Sequence, residues 1–289
     1  MKTEIDKNFP MLSNETLDYV KQKLLVAFYD PSPNVRRSVS STMSTMLVKG
    51  GFYFWKELVP FLTGNLSDPA VVENSIAALA IIIEDTYMLL EDEKFHKMIE
   101  DLGTAIFRLL GTPQQLESVL INSLNTVNIL LSCAAPFIEQ NMEAYMKHII
   151  SMIPSASSSV RKRILQGLVN IIDIQANMIL KEDNFPSVAS LMLDCLRIKD
   201  DERVATEACQ FWSSLASNGD YDENPELRET QLRRCLPQLL PALMEACLLT
   251  DHDKIGRIAS KEEDAYEDRK PEGIKKEDAD DAEEAEEDY

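Results

Sequence analysis

Paired amphipathic helices recur along this chain at a nearly constant interval, and this recurrence limits the fold more than any other feature. In each unit an apolar helix ends at a short turn rich in Asp, Ser or Pro, and a second helix then opens on Val or Leu. The residues that open the second helices are spaced by 36, 45, 44 and 44 positions, and they are Val35, Val71, Leu116, Val160 and Val204. Intervals of about 40 to 47 residues are typical of HEAT and armadillo arrays, and two helices per unit favour HEAT.

The stretch 200–216, which reads DDERVATEACQFWSSLA, shows the pattern most clearly. On a helix its large apolar side chains fall on one stripe, formed by Val204, Ala208, Phe211, Trp212 and Leu215. A single helix cannot bury such a stripe, so neighbouring hairpins must stack. We therefore expect Trp212 to be a core residue and not an exposed aromatic that binds a partner.

The same pattern of paired helices divides the chain into five complete hairpins and a partial sixth. The first helices are predicted over 15–29, 55–66, 95–110, 137–153, 185–198 and 232–249. The second helices are predicted from 35 to the Gly50-Gly51 stop and over 71–86, 116–131, 160–174 and 204–216. Prolines inside the first helices, at Pro60, Pro237 and Pro241, are expected to kink them because proline has no backbone donor.

Composition agrees with an all-α protein. Hydrophobic residues make up 45% of the 289 residues, enough for a large core, and only 9 glycines and no alternating β-branched run argue against a sheet. The predicted fold is a right-handed α-α superhelix, a HEAT-repeat solenoid of about five complete repeats and one partial repeat. We expect the array to occupy 1–259 and an acidic, disordered segment to occupy 260–289.

The net charge of −20 is concentrated at one end of the chain. Residues 261–289 carry fifteen Asp or Glu against five Lys or Arg. Such a surface repels nucleic acid and attracts a basic partner, and so few large apolar side chains cannot offset the entropy cost of ordering. Two interpretations stay open for this segment: a solubilising extension, or a flexible polyanion that reaches a basic patch on a partner.

Catalysis, cofactors and metals find no support in the sequence. The five Cys residues lie in apolar helical stripes without CxxC spacing, which predicts reduced core thiols in a cytosolic or nuclear protein. Three scattered His residues and the absence of phosphate-loop, nucleophile-elbow or zinc-protease spacing argue against an enzyme. The longest apolar run, 76–83, is too short for a membrane span, and the N-terminus lacks an apolar leader, so we expect neither a membrane nor a secreted protein.

The inner wall of a HEAT array is an extended surface suited to a protein or a peptide. Candidate contacts are polar residues of the second helices, namely Glu73, Asn74, Arg161, Arg163, Glu207 and Gln210. Two carboxylates after the last predicted helix, Asp251 and Asp253, are candidates as a partner-contacting turn. Within the acidic segment the candidates are Glu262, Glu263, Asp264, Glu283, Glu284, Glu286 and Glu287. For each single residue the alternative is a solvated helix face.

The sequences of several stretches resemble those of a known family. The stretch 200–216, followed by RRCLPQLLPALMEACLLTDHDKI and an acid-rich segment, is similar to the N-terminal arch of the transportins, which are karyopherin-beta nuclear import receptors. The likeness extends more weakly to SPNVRRSVSSTMSTMLVKGG, WKELVPFL and KNFPMLSNETLDYVKQKLL. It implies binding of the small GTPase Ran on the inner face, cargo proteins held mainly by a C-terminal arch, and an acidic loop that couples the two. It also implies nucleoporins as partners and a location in both cytoplasm and nucleus.

Compared with the family pattern, the chain is expected to begin partway through the second repeat and to end inside the acidic loop. The resemblance then implies a piece of a receptor that lacks the first helices of the Ran-binding arch and most of the regions that would hold cargo. A second hypothesis, from a different class, is a HEAT scaffold that organises a phosphatase or kinase assembly and carries a solubilising tail.

Overall fold

The computed structural model describes residues 9, 12–133, 136–198, 201–217 and 224–246. The regular structure of these residues is helical. In these ranges the chain forms eleven α-helices and five or more short 3-10 turns, and it forms no strand. None of the described helices combines the length and the apolar character needed to cross a membrane. The predicted all-α class is therefore confirmed.

The helices alternate between two layers. The first helices of the hairpins are α1 (Asn14–Ala27), α3 (Leu58–Gly64), α5 (His96–Leu110), α7 (Pro136–Met152), α9 (Phe185–Leu196) and α11 (Pro225–Ala246). The second helices are α2 (Pro33–Gly50), α4 (Val72–Thr86), α6 (Glu117–Leu130), α8 (Ser158–Leu180) and α10 (Glu202–Ser217). In each of the five complete hairpins, the first helix packs against the second helix that follows it.

Stacking joins each hairpin to its neighbours in the chain. Among the second helices, α2 packs on α4, α4 on α6, α6 on α8 and α8 on α10. The first helices α3, α5 and α7 also contact one another in chain order. Contacts between successive units are the mark of a solenoid, so the predicted superhelical repeat is confirmed.

One continuous apolar core runs between the layers. Its fully buried members include Phe28, Met43, Ile76, Leu124 and Phe211. Burying a side chain of this size stabilises the fold by about 1.5 to 3 kcal/mol. The apolar stripe predicted in 200–216 is buried throughout, including Trp212, which is 4% exposed. The interpretation of Trp212 as core is confirmed.

Local signals set where most helices begin. Ser13 and Ser157 cap α1 and α8, because each side-chain oxygen accepts from the backbone N–H three residues later, at 3.2 and 3.4 Å. Pro33 is the first residue of α2. A backbone N–H at this position would have no hydrogen-bond partner within the helix, so proline costs no hydrogen bond there. These caps account for the close agreement between the predicted and observed starts.

Three predicted helices differ from the structure. The helix expected over 55–66 is a 3-10 turn (Phe52–Trp55), the short helix α3 and a second 3-10 turn (Asn65–Ser67). Pro60 is the third residue of α3, so it lies in the first turn, where backbone donors have no partner within the helix. The predicted mid-helix kink at Pro60 is therefore wrong.

The sixth first helix begins earlier than predicted. It starts at Pro225 and not at 232, because Pro225 occupies the first helical position and the Asn224 side chain accepts from Leu227 N at 3.3 Å. Pro237 and Pro241 do lie inside this helix, as expected.

The helix predicted over 160–174 continues to Leu180 as α8. Gln175 interrupts it with non-helical angles (φ −150°, ψ 65°), so the predicted end coincides with a kink.

Candidate partner-binding surface

Four second helices together line an open groove, which we call the inner groove. It encloses about 700 Å³ and is lined from α4 through α6 and α8 to Glu207 on α10. Neutral amide side chains are prominent in its lining, namely Asn122, Asn125, Asn128, Gln166 and Asn170. The lining also includes Glu84 and Tyr87 at the α4 side and Arg163 on α8. The lining therefore combines hydrogen-bonding amides with apolar side chains such as Ile81 and Ile129.

Two of the predicted contact residues, Arg163 and Glu207, lie together in the inner groove. The Arg163 guanidinium donates to Gln166 Oε1 at 2.8 Å, and Gln166 Nε2 donates to Glu207 Oε1 at 2.6 Å. Lys162 Nζ lies 3.7 Å from the same carboxylate oxygen. This chain of contacts joins α8 to α10 and holds the three side chains in place.

Asn128 connects α6 to α8 at the bottom of the inner groove. Its Nδ2 donates to Arg163 O at 2.9 Å, and its Oδ1 accepts from Tyr145 Oη at 3.3 Å. Its backbone carbonyl accepts from Asn170 Nδ2 at 3.0 Å. A buried amide with these partners sets the register of the two helices as well as adding stability.

Hydroxyl-to-carboxylate bonds join further neighbours in the second-helix layer. Ser44 Oγ donates to Asp85 Oδ2 at 2.6 Å, Ser118 Oγ donates to Glu73 Oε1 at 2.6 Å, and Ser157 Oγ donates to Glu117 Oε1 at 2.7 Å. The partners are 41, 45 and 40 residues apart in the sequence. That separation is one repeat, so a search for polar pairs one period apart could have found them.

The candidate Glu73 therefore has a structural partner in Ser118. Asn74 is half-buried on α4, and Gln210 is exposed on α10, where its Nε2 lies 3.4 Å from Ser214 Oγ. The predicted residues Asp251, Asp253, Glu262, Glu263, Asp264, Glu283, Glu284, Glu286 and Glu287 lie outside the described residues.

Arg161 contacts the turn before its own helix and is not in the lining of the inner groove. Its guanidinium donates to Ile153 O at 3.4 Å and to Ala156 O at 3.2 Å. Arg36 does the same in the first hairpin, where it donates to the carbonyls of Asp30 and Pro31, both at 2.9 Å. An arginine directly after the opening Val thus binds the turn that precedes the second helix.

The titratable groups in the described part of the chain do not form a reactive centre. Desolvation raises the pKa of the buried thiols Cys133 and Cys195 to about 11, so both are protonated at neutral pH. A hydrogen bond from Ser158 lowers the pKa of Asp201, helped by the backbone N–H groups of Arg203 and Val204. Within these residues no cluster of three or more His, Cys, Asp or Glu is arranged to hold a metal ion.

Curated relatives agree on one family. The chain is 28% identical over 263 residues to a transportin from Dictyostelium discoideum, covering 88% of this chain and 26% of the relative. It is 27% identical to mouse transportin-1 over 274 residues, covering 91% and 28%. It is 24% identical over 241 residues to importin subunit beta-2 from Schizosaccharomyces pombe, covering 83% and 25%. The chain thus spans about a quarter of the length of these relatives, and no protein-family model matches it.

Solved structures agree on the fold. An engineered protein matches 80% of the chain with a TM-score of 0.54 at 16% identity, over 92% of its own length. A designed armadillo repeat protein matches 79% with a TM-score of 0.53 at 18% identity, over 93% of its own length. At these identities the match concerns the helical-repeat architecture alone. The resemblance to transportins predicted from the sequence is confirmed by the curated relatives, to which the chain is similar over 83 to 91% of its length.

Proposed function

We propose that this chain acts in nuclear protein import as a transportin-like receptor segment that binds a Ran-type small GTPase on its second-helix face. The observation that carries the proposal is the similarity to transportins and importin subunit beta-2 over 83 to 91% of the chain. The matched length takes in the helices that line the inner groove. The proposed role is binding and not catalysis, and it operates in both cytoplasm and nucleus.

The physical character of the second-helix face supports a protein partner. Its polar groups are held across helix boundaries, as by the Gln166 to Glu207 bond at 2.6 Å and the Ser118 to Glu73 bond at 2.6 Å. Groups held in this way lose less conformational entropy when a partner arrives. A preorganised polar wall of this extent suits the surface of a small folded protein.

The second part of the proposal concerns the acidic segment 261–289. Its fifteen acidic residues against five basic ones would attract a basic surface and speed association in a salt-dependent way. We propose that this segment couples GTPase binding to cargo release. Under the same proposal, nucleoporins are further partners, and cargo proteins are bound mainly by the C-terminal arch of the whole receptor.

The first test is a titration of the chain with a Ran-type GTPase loaded with a non-hydrolysable GTP analogue or with GDP. A receptor should bind the GTP form more tightly than the GDP form, whereas a scaffold should bind neither. Equal binding of the two forms, or no binding of either, would contradict the receptor proposal and favour the scaffold hypothesis.

The second test isolates the acidic segment. A variant that ends at 260 is compared with one in which every Asp and Glu of 261–289 becomes Asn or Gln, so that length is kept and charge is lost. Both should bind the GTPase with a lower association rate and a weaker dependence on salt than the parent chain. If affinity and salt dependence stay as in the parent, the coupling role of this segment is refuted while receptor binding can still stand.

A further inference from the structure

A small pocket with a cationic lining lies beside the start of α8, and we call it the turn pocket. It encloses about 230 Å³. Apart from Ile121, its lining is polar and comprises Ser158, Ser159, Lys162, Arg163, Asp201 and Arg203. Three cations thus stand against one carboxylate, in a chain whose net charge is −20. The turn pocket therefore suits an anion better than a cation or an apolar group.

Two of the three cations in the turn pocket have no carboxylate partner. Among the described residues no ion pair to Arg163 or Arg203 occurs, and the Arg163 guanidinium donates instead to the neutral Gln166 at 2.8 Å. Lys162 Nζ lies 3.7 Å from Glu207 Oε1, which is long for an ion pair. Guanidinium groups bind phosphate oxygens strongly and often with two parallel hydrogen bonds. The available charge therefore points to a phosphate group as the anion.

Three consecutive exposed serines, 157–159, stand at the edge of the turn pocket. Ser157 Oγ donates to Glu117 Oε1 at 2.7 Å, and the Ser158 hydroxyl donates to the Asp201 carboxylate. No hydrogen bond to the Ser159 side chain occurs in the described part of the chain. Of the three hydroxyls, that of Ser159 is therefore the one that can gain a negative group without losing a bond to a carboxylate.

Helical spacing places Ser159 near the cations. Side chains three and four positions apart on a helix have Cβ atoms about 5 to 6 Å apart, so Ser159 neighbours Lys162 and Arg163 on α8. Arg203 of α10 lines the same pocket from the next hairpin. A phosphoserine carries about −1.5 to −2 charges at neutral pH and three acceptor oxygens. A phosphate on Ser159 could thus be bound by three cations from two helices.

We propose that Ser159 is a phosphorylation site and that the turn pocket holds its phosphate through Lys162, Arg163 and Arg203. In the reaction Ser159 Oγ bonds to the γ-phosphorus of ATP, and the bond from this phosphorus to the bridging oxygen of ADP breaks. The hydroxyl proton passes to the catalytic base of a protein kinase.

The surroundings of Ser159 suit a kinase that selects basic residues. The stretch 161–163, which reads RKR, follows the acceptor after a single valine, and charge patterns of this kind set which substrates a kinase accepts. Ser159 is exposed and lies in the first turn of α8. The end of a helix opens locally at little cost, so a kinase can reach this hydroxyl.

Phosphorylation at Ser159 would also act on the inner groove. Arg163 now donates to Gln166, which donates to Glu207, and Lys162 lies near the same carboxylate. A dianion on Ser159 competes for both cations, so the carboxylate loses positive neighbours. The modification therefore makes this end of the inner groove more acidic. This inference needs no GTPase, so it succeeds or fails separately from the proposed function.

Phosphoserine introduced by genetic encoding at position 159 or 157 of the full chain tests the turn pocket. Phosphorus NMR measures the second pKa of each phosphate, which is about 6 without neighbours. Three cations should lower this pKa at position 159 by about one unit, a tenfold preference for the dianion. At position 157, which is outside the pocket lining and beside Glu117, the pKa should be higher than at 159.

Thermal unfolding gives a second measurement on the same chains. Phosphoserine at 159 should raise the unfolding midpoint by about 2 to 4 °C over the unmodified chain at about pH 7.5. Because the pKa of this phosphate is lower in the folded chain, the gain should be complete above about pH 6 and should be lost as the pH falls through about 5. Phosphoserine at 157 should give no such gain, because it places a dianion where the Ser157 hydroxyl now donates to Glu117.

A matched pair of arginine variants locates the phosphate. In the chain with phosphoserine at 159, Arg203→Gln should remove about half of the shift in pKa and in midpoint. Arg37→Gln changes another exposed arginine near the start of a second helix, α2, and should leave both shifts unchanged. In the unmodified chain both substitutions should have equally small effects.

A kinase reaction tests the acceptor. The full chain is incubated with ATP and the catalytic domain of protein kinase C, which accepts basic residues after its serine, and the product is mapped by mass spectrometry. We expect phosphate on Ser159 and its loss in Ser159→Ala.

Three results would overturn the inference. A second pKa at position 159 equal to that of a free phosphoserine peptide would refute the role of the turn pocket. Equal effects of Arg203→Gln and Arg37→Gln in the phosphorylated chain would place the phosphate elsewhere. A kinase product with phosphate on Ser157 or Ser158 but not on Ser159, or with none in 157–159, would refute Ser159 as the acceptor.

Discussion

At the scale of single residues, close approach between second helices depends on a missing side chain. A Cβ built on Gly167 of α8 would lie 2.6 Å from Asn128 Oδ1, closer than real Cβ atoms come to any neighbour. The glycine leaves room for the Asn128 amide, which bonds Arg163 O at 2.9 Å and Tyr145 Oη at 3.3 Å. Small size, and not backbone freedom, is what this position requires.

The corresponding prediction compares two glycines within helices. Gly167→Ala should lower the free energy of unfolding by about 1 to 3 kcal/mol, because Asn128 must move and lose its partners. Gly64→Ala, whose Cβ meets nothing within 4 Å, should raise it by up to about 1 kcal/mol through helix propensity. Urea unfolding followed by circular dichroism measures both changes.

The double variant Gly167→Ala with Asn128→Ala checks the cause. If the clash is with the amide, the double variant should be destabilised by less than the sum of the destabilisations of the two single variants. Full additivity would mean that the cost of Gly167→Ala arises from another contact.

At the scale of elements, α11 differs from the other first helices because no second helix covers it within the described residues. One face is docked: Leu239 is buried, Gln231 Nε2 donates to Leu180 O at 3.2 Å, and Arg234 pairs with Glu182 at 2.8 Å. The other face exposes large apolar side chains, with Leu236 at 39%, Leu240 at 55% and Met244 at 72%. An apolar stripe left open in this way promotes association between molecules.

We therefore expect the chain to self-associate through α11. The variant Leu240→Gln with Met244→Gln should shift sedimentation-velocity profiles toward the monomer with little change in stability, since both side chains are exposed in the folded chain. Leu239→Gln, at a position 5% exposed, is the contrasting change and should cost about 2 to 5 kcal/mol. A parent chain that stays monomeric at every concentration would contradict this prediction.

At the scale of the whole described array, stability is distributed along the chain because each hairpin contacts its neighbours in order. In such an array each unit contributes its own stability and an interface with the next unit. A perturbation at one end should therefore open that end first and leave distant hairpins closed.

Native-state hydrogen exchange tests this expectation. Leu17→Ala in α1 removes a buried side chain, 6% exposed, and should cost about 2 to 5 kcal/mol, with amide protection reduced in α1 and α2 and kept in α8 and α10. Leu193→Ala in α9, 4% exposed, should give the reverse pattern. An equal loss of protection across all helices in either variant would indicate a single cooperative unit instead.

Much of the fold could be predicted from the sequence because its signals are local. Helical periodicity, with Gly111 and Pro113 after α5 and Pro186 in the first turn of α9, predicts helices over 95–110 and 185–198, and the observed bounds are His96–Leu110 and Phe185–Leu196. The weaker predictions were those where two local signals competed, as at Pro60, where proline opens a short helix and does not kink a long one.

Helical periodicity and turn residues were enough to predict that this chain is all-α, that its helices pair at a repeat of about 44 residues, and that their apolar stripes must be buried between neighbours. Which polar side chains meet could be seen only in the folded structure. Arg163 and Glu207 share Gln166 in the inner groove, whereas Arg161, two residues from Arg163, binds its own turn. The reason is that helical periodicity gives the face of each residue, while the rotation and offset between stacked helices depend on contacts such as Asn128 against Gly167 that lie one repeat apart.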